Sequence, residues 1–137
     1  MTAVSPTSLE RLVAGDLAPL AAVAAASHQE VLEAWQGSTR PTLTRTALIA
    51  VLEGLGDGDV SDEDAVRWAT LMRHGYLETV GPTLPAVEIE LDEPYADAII
   101  RALSYLEDVT DVRLSGVVDP IYIGQLIAAL RYRPNVH

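Results

Sequence analysis

The residues best suited to chemistry lie in "GDGDVSDEDAVRWA", residues 56–69. There five carboxylates, Asp57, Asp59, Asp62, Glu63 and Asp64, crowd ahead of an apolar run that holds a tryptophan. Three roles suit such a cluster: a calcium loop, the charged start of a helix, or a surface for a cationic partner. An EF-hand loop needs oxygen ligands at positions 1, 3 and 5, Gly at 6 and Glu at 12. Counted from Asp57, the ligand positions hold Asp57, Asp59 and Ser61, but position 6 is Asp62 and position 12 is Trp68. Both diagnostic positions fail. Ser61 with Asp64 resembles a capping box, Asp standing in for the usual Glu or Gln. Asp62, Glu63 and Asp64 then fall in a first helical turn, where the helix dipole favours carboxylates. Asp57 and Asp59 lie upstream and add repulsion to the same region, so helix capping does not account for them. A cationic partner does.

Other catalytic constellations find little support. His28, His74 and His137 sit in unrelated contexts, and none has a metal-ligand partner four residues on. His74, near a predicted helix C-terminus, is placed to complement the dipole. The carboxylates of 57–64 are also of a type that holds Mg²⁺, although such clusters are more often solvated helix starts. Gly54, Gly56 and Gly58 form no phosphate-cradling loop, with no Lys anywhere in the chain to meet a phosphate. No GxSxG nucleophile elbow occurs. The expectation is a protein without catalytic residues, metal or cofactor.

The elements that position these residues follow from hydrophobic spacing. Ser5 and Pro6 open a helix with Leu9, Leu12 and Val13 on one face, ended by Gly15. A second helix is expected from Asp16 to Gln36, with Leu20, Val23, Ala24, Ser27, Val31, Ala34 and Trp35 on its buried stripe and Gly37 as its stop. Pro41 forces a turn over residues 37–41. Thr42 or Thr44 caps a helix bearing Leu48, Val51, Leu52 and Leu55, which "GLGDGD" breaks. The helix after Ser61 buries Ala65, Trp68, Ala69, Met72 and Tyr76, with Gly75 at its left-handed C-cap. Val87, Ile89 and Leu91 alternate with acids near 86–91, where Pro82, Pro85 and Pro94 favour an extended linker over a sheet. Tyr95, Ile99, Ala102, Leu103 and Leu106 mark a further helix. Asp119 and Pro120 open a last one, with Ile123, Leu126, Ile127 and Leu130 inward. The fold class expected is mostly α, a compact bundle of five to six helices with one short extended segment near 86–91. Residues 1–40 read as an N-terminal helical extension or pair, and residues 41–137 as an acidic helical domain.

Composition narrows the function classes. Of 137 residues, 49% are hydrophobic, enough for a core, and the mean hydropathy of +0.18 excludes a disordered tail. There is no Cys and no Phe, so disulfides and thiolate metal sites are excluded and the core must be mostly Ala, Leu, Val and Ile. The longest apolar stretch, "LAPLAAVAAA", contains Pro19 and is too short to span a bilayer. No secretory signal is visible. The expectation is a soluble cytoplasmic protein that makes no membrane contact. The net charge is −11. Residues 1–55 hold three Arg and five acids, for −2, whereas residues 56–137 hold six Arg and fifteen acids, for −9. That acidic half repels phosphate backbones and steers a basic partner.

Two resemblances bear on function. Residues 20–56 resemble the helix-turn-helix of phage-repressor-like regulators, with Leu20, Ala21, Ala25, Ser27, Val31, Gly37 and Pro41 at matching spacings. Ala25 replaces the turn glycine, and the would-be recognition helix "SHQEVLEAWQ" carries Glu30 and Glu33 but no Arg or Lys. Base reading on this alternative would fall to His28, Gln29, Arg40 and Arg45.

The longer resemblance covers residues 46–132. "ALIAVLEGLGDGDVSDEDAVRWA" is similar to the opening of small bacterial proteins related to colicin D-type immunity proteins: a Leu-rich helix, a Gly-containing acidic turn, and a capped helix with Trp-Ala. Leu52, Gly58, Val60, Ser61, Trp68 and Ala69 carry the match. Ile99, Leu103, Gly116, Ile123, Ile127 and Leu130 continue it through residues 95–130. The resemblance implies a helical, acidic, non-catalytic immunity protein or antitoxin that covers the basic cleft of a nuclease toxin. Its contact residues would be Asp57, Asp59, Asp62, Glu63 and Asp64, with a second group of Glu88, Glu90, Asp92, Glu93 and Asp97. Trp68 and Tyr76, at helical spacing, belong to the core. A DNA-binding regulator is the alternative, and an acidic adaptor a further one.

Overall fold

Ser5 sets the first helix. Its hydroxyl accepts the Ser8 amide while the Ser8 hydroxyl accepts the Ser5 amide, a reciprocal capping box ahead of Pro6. The computed structural model describes residues 5–37, 42–75, 89–92, 95–109 and 120–131, with the side chains of His28 and Pro120 excepted. Among them lie seven helices: α1 (Pro6–Val13), α2 (Leu20–Ala25), α3 (His28–Gln36), α4 (Arg45–Asp57), α5 (Asp62–His74), α6 (Ala96–Glu107) and α7 (Pro120–Arg131). The mostly α expectation holds.

The seventh helix arises where one long helix was expected. Between Asp16 and Gln36 the chain breaks at Ala26 and Ser27, both with extended backbone. Ser27 is therefore not on a buried stripe. Its hydroxyl accepts the Glu30 amide at 3.2 Å and caps α3, the competing use that makes Ser a poor helix-interior residue. The start at Asp16 also moves, because the Asp16 carboxylate accepts the Ala18 amide at 3.0 Å and holds a turn there.

A second difference concerns "GLGDGD". Gly54 and Gly56 remain helical, and α4 ends only at Gly58, which is left-handed at φ 84°. Thr44 caps its other end by accepting the Ala47 amide at 3.2 Å. Of the extended segment expected near 86–91, residues 89–91 are among those described. The Leu43 amide donates to the Glu90 carbonyl at 2.8 Å and the Asp92 amide to the Leu43 carbonyl at 3.0 Å, a single parallel bridge between Leu43 and Leu91. Tyr76, Pro41, Gly116 and Asp119 lie outside the described residues, as do Pro82, Pro85 and Pro94.

Packing is pairwise: α5 on α6, α4 on α7, α6 on α7, α1 on α3, and α2 on α5. One hydrophobic cluster joins Leu12 and Leu20 to Leu48, Trp68, Leu103 and Leu130. Trp68 is wholly buried, and its indole Nε1–H donates to the Leu12 carbonyl at 2.7 Å. That bond satisfies the indole's one polar atom and ties α5 to the end of α1. The buried stripes of α4, α6 and α7 contain the expected residues, except that Ile127 is half-buried and Tyr95, also half-buried, precedes α6; Leu71 is an addition on α5.

Candidate functional site: the acidic corner between α4 and α5

The corner is built by a tight return. After Gly58 the chain folds back so that the Val60 amide donates to the Gly54 carbonyl at 3.0 Å. A Cβ at Gly54 would meet Val60 Cγ2 at 2.6 Å, which explains a glycine inside a helix at that position. Ser61 then caps α5 by accepting the Asp64 amide at 3.1 Å. Five carboxylates line this turn. Asp57 is the last residue of α4, Asp59 is in the turn, and Asp62, Glu63 and Asp64 form the first turn of α5.

Their energetics differ. The three on α5 meet the positive end of a helix dipole, worth about 0.3–1 kcal/mol each at the surface. Asp57 sits at the negative end of α4, where a carboxylate is unfavourable by the same physics. Asp57 and Asp59 are both exposed. Glu63 pairs with Arg67 at 3.4 Å with both side chains largely in water, a pair of small value. Among the described residues no group of three His, Cys, Asp or Glu side chains could hold a metal ion.

The second acidic group lies elsewhere. Asp92 is bridged backbone-to-backbone with Leu43, just ahead of α4, and Asp97 is in the first turn of α6. Glu90 and Asp97 are exposed and Asp92 is half-buried. The thirteen residues of α4, at 1.5 Å each, put roughly 20 Å between its two ends. The two groups therefore form separate patches at opposite ends of α4. Glu88 and Glu93 lie outside the described residues.

Of the residues of the DNA-reading alternative, the side chains of Gln29 and Arg45 are among those described. α2, a two-residue break and α3 do reproduce a helix, a turn and a helix. The exposed positions of α3 are Gln29, Glu33 and Gln36, and Gln29 Nε2 donates to Glu33 Oε1 at 3.4 Å. Arg45 is engaged in the fold. Its Nη1 donates to the carbonyls of Leu130 at 3.3 Å and Arg131 at 3.5 Å, and its guanidinium stacks 4.3 Å from the Tyr95 ring centre. It caps the C-terminal end of α7, where a cation complements the dipole. Arg40 and the His28 side chain lie outside the described residues.

Sequence reasoning missed two features. Glu107 on α6, its side chain 13% exposed, accepts from Arg73 at 2.6 Å and lies 2.8 Å from His74 Nε2. His74 thus faces a carboxylate across the α5–α6 interface as well as its own helix end. The other feature is a groove between α4 and α7, lined by Leu52, Asp57, Ile123 and Ile127 among others. Its signal in the sequence is "PIYIGQLIAAL", a helix-length run without Asp, Glu, Arg or Lys. No family model, curated protein or solved structure matches this chain significantly.

Proposed function

We propose that the chain is a non-catalytic protein-binding module, an immunity protein or antitoxin that neutralises a basic nuclease by occluding its cleft. The observation that carries the reading is the acidic corner, where Asp57 is held against the dipole of its own helix beside four further carboxylates. A charge that costs stability where it stands calls for a use outside the chain. A basic nuclease cleft, built to bind phosphates, supplies it, and opposite potentials give fast, steered association. The resemblance of residues 46–132 to colicin D-type immunity proteins points the same way, as does the −9 charge of residues 56–137.

The test is a pull-down of the tagged protein from its own cell extract at moderate salt, followed by mass spectrometry. One basic protein in equal stoichiometry, released by combined Asp57→Asn, Asp59→Asn and Asp62→Asn changes, is the expected result. DNA fragments in place of a protein would overturn the reading in favour of a helix-turn-helix regulator, for which α2 and α3 supply the helices. A partner retained by the triple variant would favour an acidic adaptor working through another face.

A further inference from the structure

Helix α7 is short of charge for a surface element. Ile123, Leu126 and Leu130 are buried, while Ile121, Tyr122, Gly124, Gln125, Ala128 and Ala129 are exposed, and Arg131 at its end pairs with Glu53 on α4 at 2.7 Å; of the exposed residues, Gly124 lines the groove against α4. An exposed apolar surface edged by polar groups is the mark of an interaction site.

α7 runs beside α4, and the groove between them has a volume of about 360 Å³. Leu52, Ile123 and Ile127 supply its apolar lining, Gly56 and Gly124 its gaps, and Asp57 a negative edge. The two glycines differ from Gly58, whose left-handed φ of 84° favours glycine, and from Gly15 and Gly54. A Cβ at Gly15 would meet the Ala47 carbonyl oxygen at 2.9 Å, and one at Gly54 would meet Val60. At Gly56 and Gly124 a Cβ would meet nothing within 4 Å. Glycine weakens a helix relative to alanine, and at these two positions no packing among the described residues offsets that loss. Both leave room in the same groove, and that groove ends at the acidic corner.

We infer that the α4–α7 groove docks a cationic amphipathic helix. The helix seats an apolar side chain between Gly56 and Gly124 and sets Arg or Lys side chains against Asp57 and Asp59. Charge selects this occupant: a second copy of the chain would bring its own net −11 and its own acidic corner to the same face. Helix-in-groove recognition supplies the geometry, with apolar anchors at helical spacing and charges at the edge. The inference rests on the basic-partner reading above and specifies which face the partner covers.

The probe is a synthetic Leu/Lys peptide patterned as an amphipathic helix, with a scrambled peptide of the same composition as control. Both are titrated into the full chain by calorimetry and by amide chemical shifts. The patterned peptide binds, shifting the Gly56 and Gly124 amides, and the scrambled one binds about tenfold more weakly or less. Gly124→Leu, which fills the groove, weakens binding by about tenfold or more with an unchanged or higher melting temperature. Asp57→Asn weakens it several-fold and flattens its salt dependence. Undiminished binding to Gly124→Leu, absence of binding, or a homodimer that Gly124→Leu dissociates would each overturn the groove. The pull-down decides the broader reading separately. A natural basic partner released by Asp59→Asn with Asp62→Asn but held by Gly124→Leu keeps the basic-partner reading and removes the groove.

Discussion

Asp57 shows how a single residue trades stability for a surface. At the C-terminal end of α4 its charge opposes the dipole, so Asp57→Asn should raise the unfolding free energy by about 0.3–1 kcal/mol while weakening partner association. Urea denaturation reads the first effect. Ser61→Ala has the opposite sign, because it strips the α5 N-cap, and should cost about 1 kcal/mol. Asp16 gives a pH signature. Its pKa is lowered, chiefly by the Ala18 amide and next by the Arg11 side chain, which approaches to 2.7 Å. A lowered folded-state pKa contributes stability that is fully present above the unfolded value, about 3.9, and is lost as pH falls through the folded value. Asp16→Asn should therefore flatten the acid limb of a stability–pH curve below about pH 4 and leave its neutral plateau's shape unchanged.

At the scale of elements, glycines of identical spacing have different jobs. Gly56→Ala should stabilise α4 by up to about 1 kcal/mol, the helix-propensity difference. Gly54→Ala should destabilise the protein, since its methyl would press on Val60 at 2.6 Å. Thermal unfolding of the two variants side by side checks both signs. This contrast also shows what can be read from the chain alone. Caps at Ser5, Thr44 and Ser61, and the buried stripes of α4 to α7, follow from local chemistry and the 3.6-residue period, and both are visible in the letters. Whether a glycine breaks a helix depends on what lies opposite it, here Val60, and that contact exists only after folding. The break at Ala26 was open in the letters: an alanine run followed by Ser supports either the continuous helix of the periodicity or the turn of the helix-turn-helix resemblance, and the fold takes the second. The acidic residues were identifiable as two groups, but their placement toward opposite ends of α4 was not, because the Leu43–Leu91 bridge is what places Asp92.

The whole molecule depends on one core shared by early and late helices. Trp68 fills its middle and holds Leu12, so Trp68→Ala should cost about 3–5 kcal/mol, a large part of the total stability of a domain this size. Trp68→Phe, which keeps most of the volume but leaves the Leu12 carbonyl without the indole, should cost about 1–3 kcal/mol. A rigid core of this kind suits a protein that acts by presenting a fixed charged face. Gly58, Ser61 and the Val60–Gly54 bond shape the acidic corner within the fold, which on the proposed reading limits the ordering cost of binding.

The most direct measurement of that role is a titration of the recovered basic partner's nuclease activity with the wild-type protein and with the Asp57→Asn, Asp59→Asn, Asp62→Asn variant. Complete inhibition at one equivalent of wild type, relieved by salt and lost in a variant that remains folded, is the predicted result. Nuclease activity untouched by wild-type protein at stoichiometric excess would contradict it.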